Sequence, residues 1–249
     1  VAREMMHRFR LWDVATTNGI DVLVANSRFI AKRIWKVYRR EAEVVYPPVA
    51  TAEFDVPRRG SDHFVTAGRV VGYKRVDLIC EAFARRPDLK LVVIGEGPEL
   101  RRVKSIAPKN VTFTGRLPRP EMLDIYANSR AFIHAAVEDF GIAPVEAQAA
   151  GLPVIGLGQG GILETVIERG DSRAATGVHF AEQTVDSLLA GLAAFERQGD
   201  AIDPEACRRN ARRFDESIFR RRMSAILDQA LARKDDHFEG FAGERVAAE

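Results

Sequence analysis

The sequence predicts an α/β fold: a Rossmann-like parallel sheet with helices on both faces. Three observations carry this expectation. From residue 63 onward, short apolar runs alternate with stretches of helical spacing, the pattern of successive βαβ units. The runs are continuously apolar, as in Leu91-Val-Val-Ile94, which suits strands covered on both sides. Five of them end in glycine-containing turns, and in an open parallel sheet those turns share one rim.

Taken in order, residues 21–25 read as a short strand. Asn26-Ser27 supplies a cap for a helix over residues 28–38, with apolar positions at Ile30, Ile34, Val37 and Tyr38. A second short strand covers residues 44–46. Pro47-Pro48 and a polar stretch then break regular structure, so residues 47–61 read as a linker. The regular part pairs strands at 63–67, 90–94, 111–113, 131–134 and 153–155 with helices at 76–85, 98–105, 120–129, 141–150 and from about 163. Residues 184–233 read as helices, the last carrying an apolar stripe of Phe214, Ile218, Phe219, Met223, Ile226 and Leu227. From Lys234 the chain turns polar and small, as a frayed tail does.

Composition narrows the function. The 249 residues are 46% hydrophobic and 29% charged with net charge +2, which excludes whole-chain disorder. No apolar run approaches the roughly 20 residues that span a bilayer. Two cysteines, Cys80 and Cys207, make no disulfide framework and fit a reducing, cytoplasmic compartment. With no CxxC and no HxxxH, no structural metal is expected. Residues 1–40 carry nine basic residues against three acids. They lack interleaved aromatics and any recognised motif, so no nucleic-acid partner is expected.

Chemistry belongs just past the strand ends. Gly68-Arg69 comes after the first strand of the regular part, with Lys74 at the next helix start. An arginine fork and a lysine point charge together can neutralise a diphosphate, although two solvated surface cations would look the same. Gly95-x-Gly97 lacks the third glycine of a dinucleotide fingerprint and is better read as a tight turn. Glu138 lies in a loop and Glu146 in the second turn of the next helix. The amides of Phe140, Gly141 and Ile142 at that helix start favour anions, and a helix-borne carboxylate can accept two hydrogen bonds from a vicinal diol. Taken singly, each acid is as well explained by solvated helix chemistry. The pair also fits a glycosidase, but that leaves the two cations without work. DxD is absent, so charge on a leaving group falls to protein cations and helix dipoles.

Glu138-Asp-Phe-Gly-Ile-Ala-Pro-Val-Glu146 resembles the E-x7-E signature of the retaining GT-B glycosyltransferases of family GT4, the glycosyl transferases group 1. Gly68-Arg-Val-Val-Gly-Tyr-Lys74 resembles the family's GR…K diphosphate element. Val111-Thr-Phe-Thr-Gly115, Gly151-Leu-Pro-Val-Ile155 and Gly160-Gly-Ile-Leu-Glu164 come next in family order, so the resemblance covers about residues 20–170. The wording is nearest to bacterial mannosyltransferases of O-antigen and exopolysaccharide synthesis, which use GDP-mannose.

The resemblance implies the C-terminal, donor-binding half of a GT-B fold. Residues 1–46 would be the remnant of an acceptor domain, 47–61 a linker and 62–200 the nucleotide-sugar domain, succeeded by helices over 201–233 and a tail over 234–249. Such a chain would bind the donor and transfer poorly or not at all. The resemblance also implies roles. Arg69 and Lys74 would hold the diphosphate and stabilise its departure, and Glu138 would contact the transferred sugar. Phe140, Gly141 and Ile142 would offer amides, Glu146 would hold the ribose, and Leu117 would lie beside the base. No cofactor or metal is implied. One departure is Arg75, where the family often has glycine. His134 is assigned no role, a strand-end histidine being more often structural. The partners implied are a nucleotide-sugar donor and a saccharide or lipid-linked acceptor. The basic helix after Ser27 fits peripheral contact with the inner membrane face, and a solvated basic face accounts for it equally. Two alternatives stay open: a binding module that does not transfer, and a transferase using UDP-glucose or another donor.

Overall fold

The structure is a computed structural model that describes residues 2–60, 62–168, 170–171, 173–198 and 201–246. The chain divides into two compact units, residues 1–48 with 217–249 and residues 49–216.

The first unit opens with helix α1 (Ala2–Thr17), which no sequence signal announces. Its apolar residues Met5, Met6, Phe9, Leu11 and Trp12 are exposed and mixed with charge, so no core-facing stripe marks the helix. Strand β1 (Val24–Ala25) pairs in parallel with β2 (Glu43–Val44). Both are shorter than the apolar runs suggest. Between them lies α2 (Arg28–Tyr38), where Ser27 Oγ accepts the Ile30 N–H at 3.1 Å, the cap expected there. Tyr38 donates to Asp13 Oδ2 at 2.7 Å and so ties α2 to α1.

The second unit is built on six parallel strands: β3 (His63–Ala67), β4 (Lys90–Ile94), β5 (Val111–Gly115), β6 (Ser129–His134), β7 (Val154–Leu157) and β8 (Gly177–Phe180). Their order is β5-β4-β3-β6-β7-β8. The chain winds outward from β3 to β5, then returns to the other side of β3 and winds outward again. The β3/β6 neighbours are therefore the point where strand order reverses and where open sheets bind ligands. β8 was not legible, because Gly177-Val-His-Phe180 is short and has glycine and histidine at alternate positions.

Helices cover both faces, as expected. On one side α3 (Val76–Ala84), α4 (Leu100–Ile106) and α8 (Val185–Gln198) bury Phe64, Leu91, Val93, Ile133 and Ile155. Phe64 meets Phe83 and Phe195 edge to face at 5.8 and 6.0 Å. On the other side lie α5 (Arg119–Ala127), α6 (Ile142–Ala149), the short α7 (Ile162–Thr165) and α9 (Pro204–Ala211). A buried amide network ties three of these together. Asn210 Nδ2 donates to Gln148 Oε1 and to the Thr165 carbonyl, both at 2.7 Å, and Gln148 Nε2 donates to the same carbonyl at 2.9 Å.

Within the polar stretch after Pro48, a 3₁₀ turn (Thr51–Phe54) buries Phe54 under the Arg119 guanidinium, 4.6 Å from the ring centroid. Phe214 does not belong to the last helix, contrary to the sequence pattern. It ends a 3₁₀ turn (Arg212–Phe214) and packs its ring 5.3 Å from that of Phe140. Helix α10 (Glu216–Val246) begins after it and continues past Lys234, where fraying was expected; extending a formed helix needs no new nucleus. Among the described residues no helix is long and apolar enough to cross a membrane.

Candidate functional site

The turns after β3, β4 and β5 are joined backbone to backbone. Gly68 N–H donates to the Ile94 carbonyl at 3.0 Å, Gly95 N–H to the Gly115 carbonyl at 2.8 Å, and Val70 N–H to the Glu96 carbonyl at 2.9 Å. Gly95, at φ 132°, approaches so closely that a Cβ there would stand 1.9 Å from the Gly68 carbonyl oxygen. At Gly97 a Cβ would stand 2.2 Å from the Val70 carbonyl oxygen. The Gly95-x-Gly97 pair thus permits two loops to touch, which agrees with the tight-turn expectation.

These turns wall a cavity of about 620 Å³, lined by Arg69, Leu117, Glu146, Met122 and Tyr126 among others. Arg69 also lines a small adjoining recess with Lys74 and His134. Arg69 is exposed and has no ion-pair or hydrogen-bond partner among the described residues. Lys74 ends a 3₁₀ turn (Gly72–Lys74), and its Nζ lies 3.1 Å from Glu138 Oε1, with both side chains about four-fifths shielded. His134 Nε2 stands 3.5 Å from the other oxygen, Oε2, of Glu138. Burial pushes the His134 pKa down to about 4, with Glu138 opposing and Lys74 assisting, so the ring is neutral near pH 7.

Glu146 is half-buried on α6. Burial raises its pKa, and the nearby Arg119 partly offsets this. Gly141 caps α6 with φ 86°, a conformation glycine adopts without strain, and as a glycine it supplies no side-chain cap. Phe140 is buried against Phe214, while the Ile142 side chain is 45% exposed. Neither they nor Gly141 line the large cavity. Arg69, Leu117 and Glu146 therefore line the cavity, Arg69 and Lys74 line the recess, Glu138 joins them through Lys74 and His134, and Phe140, Gly141 and Ile142 stand at the α6 start.

Arg75 takes the left-handed conformation, φ 51°, that a glycine would take freely, at a cost of roughly 1–2 kcal/mol for a residue with Cβ. Its guanidinium answers with bonds of its own. Nε donates to Asp77 Oδ1 at 3.2 Å and Nη1 to Gln183 Oε1 at 3.3 Å. Gln183 Nε2 then donates to the Ala135 carbonyl at 2.8 Å. The loop that carries Lys74 and the loop that carries Glu138 are thus tied through Gln183. The sequence did not single out Gln183, and no local signal could have. Its two partners lie 108 and 48 residues away.

Among known proteins, the profile of the family Glycosyl transferases group 1 matches residues 53–214. The chain belongs to the glycosyl transferases group 1 family. One relative is the GDP-mannose-dependent monoacylated alpha-(1-6)-phosphatidylinositol monomannoside mannosyltransferase of Corynebacterium glutamicum. It is 33% identical over 153 residues, covering 57% of this chain and 36% of that protein. The GDP-mannose-dependent alpha-(1-6)-phosphatidylinositol monomannoside mannosyltransferase of Mycobacterium tuberculosis is 34% identical, covering 48% of this chain and 32% of that protein. This group 1 chain thus spans about a third of the length of these two relatives. The solved sucrose-phosphate synthase of Thermosynechococcus elongatus superposes with TM-score 0.78 at 19% identity, covering 90% of this chain and 62% of that one. The Anabaena protein HepE, solved with UDP and glucose, gives TM-score 0.71 at 18% identity over 83% of this chain and 62% of its own. The fold is that of the GT-B glycosyltransferases.

Proposed function

We propose that this chain is the donor-binding part of a retaining hexosyltransferase. It holds a nucleoside-diphosphate sugar, GDP-mannose first, for transfer to a saccharide or lipid-linked acceptor. The observation that carries the proposal is the single cavity and recess at the β3/β6 reversal. Arg69, without a partner among the described residues, borders both, Leu117 and Glu146 lie on one side, and Lys74, paired with Glu138, lies on the other. GDP-mannose is favoured because the two mannosyltransferase relatives carry it in their names.

In this proposal Arg69 and Lys74 take the diphosphate, and Glu146 accepts from the ribose hydroxyls. Leu117 lies along the base, and Glu138 contacts the sugar. As the glycosidic bond opens, positive charge grows at the anomeric carbon and negative charge on the departing diphosphate. Arg69, Lys74 and the amides of Phe140, Gly141 and Ile142 are the groups that stabilise it, with protein cations in the place of a metal. The exposed Trp35 and basic residues of α2 support peripheral contact with anionic lipid near a lipid-linked acceptor. Vesicle pelleting that does not depend on anionic lipid would remove that contact.

The test is calorimetry of the chain with GDP-mannose, UDP-glucose and GDP. A product assay with an acceptor comes second, and the anomeric configuration of the product is read. Binding of GDP-mannose above UDP-glucose supports the donor assignment, and binding of none refutes the site. Binding without transfer is the result expected of a donor-binding part and is shared by a nucleotide-sugar-binding module; a product assay on an enzyme that contains this chain separates the two.

A further inference from the structure

Tyr126 stands in the wall of the large cavity, where its carbonyl accepts from Arg58 Nη1 at 2.9 Å but its hydroxyl makes no hydrogen bond among the described residues. The residue is fully buried. Its ring packs edge to face on Phe132, centroids 6.1 Å apart, a contact that a phenylalanine would make as well. A buried hydroxyl left unpaired opposes folding, and such groups are few in native proteins. Packing therefore does not account for the oxygen.

A second polar group in the same cavity wall is open to a ligand. The Glu146 carboxylate, half-buried on α6, has no hydrogen-bond partner among the described residues. Glu146 and Arg119 are the charges that Tyr126 feels. An unpartnered donor and an unpartnered acceptor, close enough to influence each other, border one cavity. A ligand hydroxyl, which accepts through oxygen and donates through hydrogen, satisfies both.

We infer that the Tyr126 hydroxyl is a ligand contact at the ribose end of the cavity. It donates to a ribose hydroxyl oxygen whose own proton goes to the Glu146 carboxylate. The inference rests on the nucleoside-diphosphate-sugar reading above and adds a residue to it. The nucleotide supplies the hydroxyl with the partner that the described residues do not.

The experiment compares the wild-type chain with Tyr126→Phe. Each is melted without ligand and titrated with GDP, UDP and the 2′,3′-dideoxy form of whichever binds. The expected result has two opposite signs. Without ligand, Tyr126→Phe melts higher by ~2–4 °C, because an unpaired oxygen is gone. It binds the nucleotide about tenfold more weakly, the loss expected for one hydrogen bond, while the dideoxy nucleotide binds both proteins alike. Equal affinity of the two proteins for the full nucleotide overturns the inference and leaves the nucleotide site intact. A lower melting temperature or loss of folding in Tyr126→Phe also overturns it, since the oxygen would then serve stability. A wild-type chain that binds neither nucleotide refutes the donor site itself, and the contact with it.

Discussion

Lys74 Nζ and Glu138 Oε1 stand 3.1 Å apart and are both largely shielded, so the cation proposed for the diphosphate and the acid proposed for the sugar hold each other. Shielding gives such a pair more weight than an exposed one. A diphosphate entering the recess must compete with Glu138 for Lys74. The two residues therefore act in opposite directions on a nucleotide that carries no sugar. Glu138→Gln removes the competitor and tightens GDP severalfold. Lys74→Ala removes a charge-assisted bond and weakens GDP by roughly 10- to 100-fold. Calorimetry decides, and a shift of the same sign in both variants refutes the competition.

Among the described residues Arg69 has no partner to lose. Arg69→Ala should leave stability within about 0.5 kcal/mol of wild type. In a transferring enzyme that contains this chain it should lower donor turnover roughly a hundredfold, the effect of deleting one group aimed at developing charge. Urea denaturation and steady-state kinetics measure the two effects separately. Unchanged kinetics would take Arg69 out of the site.

Gly95 marks the closest contact between the loops that wall the cavity. Gly95→Ala would set a Cβ 1.9 Å from the Gly68 carbonyl oxygen at φ 132°, so the loops must part. Overpacking and left-handed strain together predict a loss of about 3 kcal/mol or more. The displaced Arg69 should weaken nucleotide binding as well. A Gly95→Ala protein with wild-type stability would show that the loops have room to separate.

Much of this arrangement is legible in the sequence because parallel sheets place their chemistry at strand ends. Arg69, Lys74, Leu117, Glu138 and Glu146 could be found by inspecting the residues C-terminal to each apolar run; in the structure Arg69, Leu117 and Glu146 line one cavity, Lys74 lines its recess, and Glu138 pairs with Lys74. The parts that stayed hidden were set by tertiary contacts. Tyr126 carries no sequence signal within its helix, and its unpartnered oxygen is seen only in the structure. Gln183 joins two loops from a third segment far along the chain. Phe214 falls in phase with the apolar positions of α10, yet Asp215 takes an extended conformation, and the ring turns instead to Phe140. α1 has apolar residues without a buried stripe, so periodicity could not reveal it.

His134 links the recess to pH. Its folded pKa is pushed down to about 4 by burial, against 6.5 for the free side chain. The folded state keeps the ring neutral while the unfolded chain takes up a proton below pH 6.5. The contribution of His134 to stability is therefore fully present above 6.5 and is lost as pH falls toward 4, by roughly 3 kcal/mol in all. His179, also lowered by burial, acts in the same direction. Glu146, raised by burial, acts in the opposite one, its contribution being lost as pH rises through its elevated pKa. Total stability against pH is thus a composite, and the informative quantity is the difference between wild type and His134→Gln. The glutamine keeps a neutral donor beside Glu138 but does not titrate. Between pH 6.5 and 4 the variant should lose stability less steeply, so its deficit should narrow or reverse toward pH 4. Urea titrations at half-unit steps measure this difference. Parallel curves would mean that His134 is protonated in the folded protein as readily as in the unfolded one, contrary to a neutral ring buried beside the Lys74–Glu138 pair.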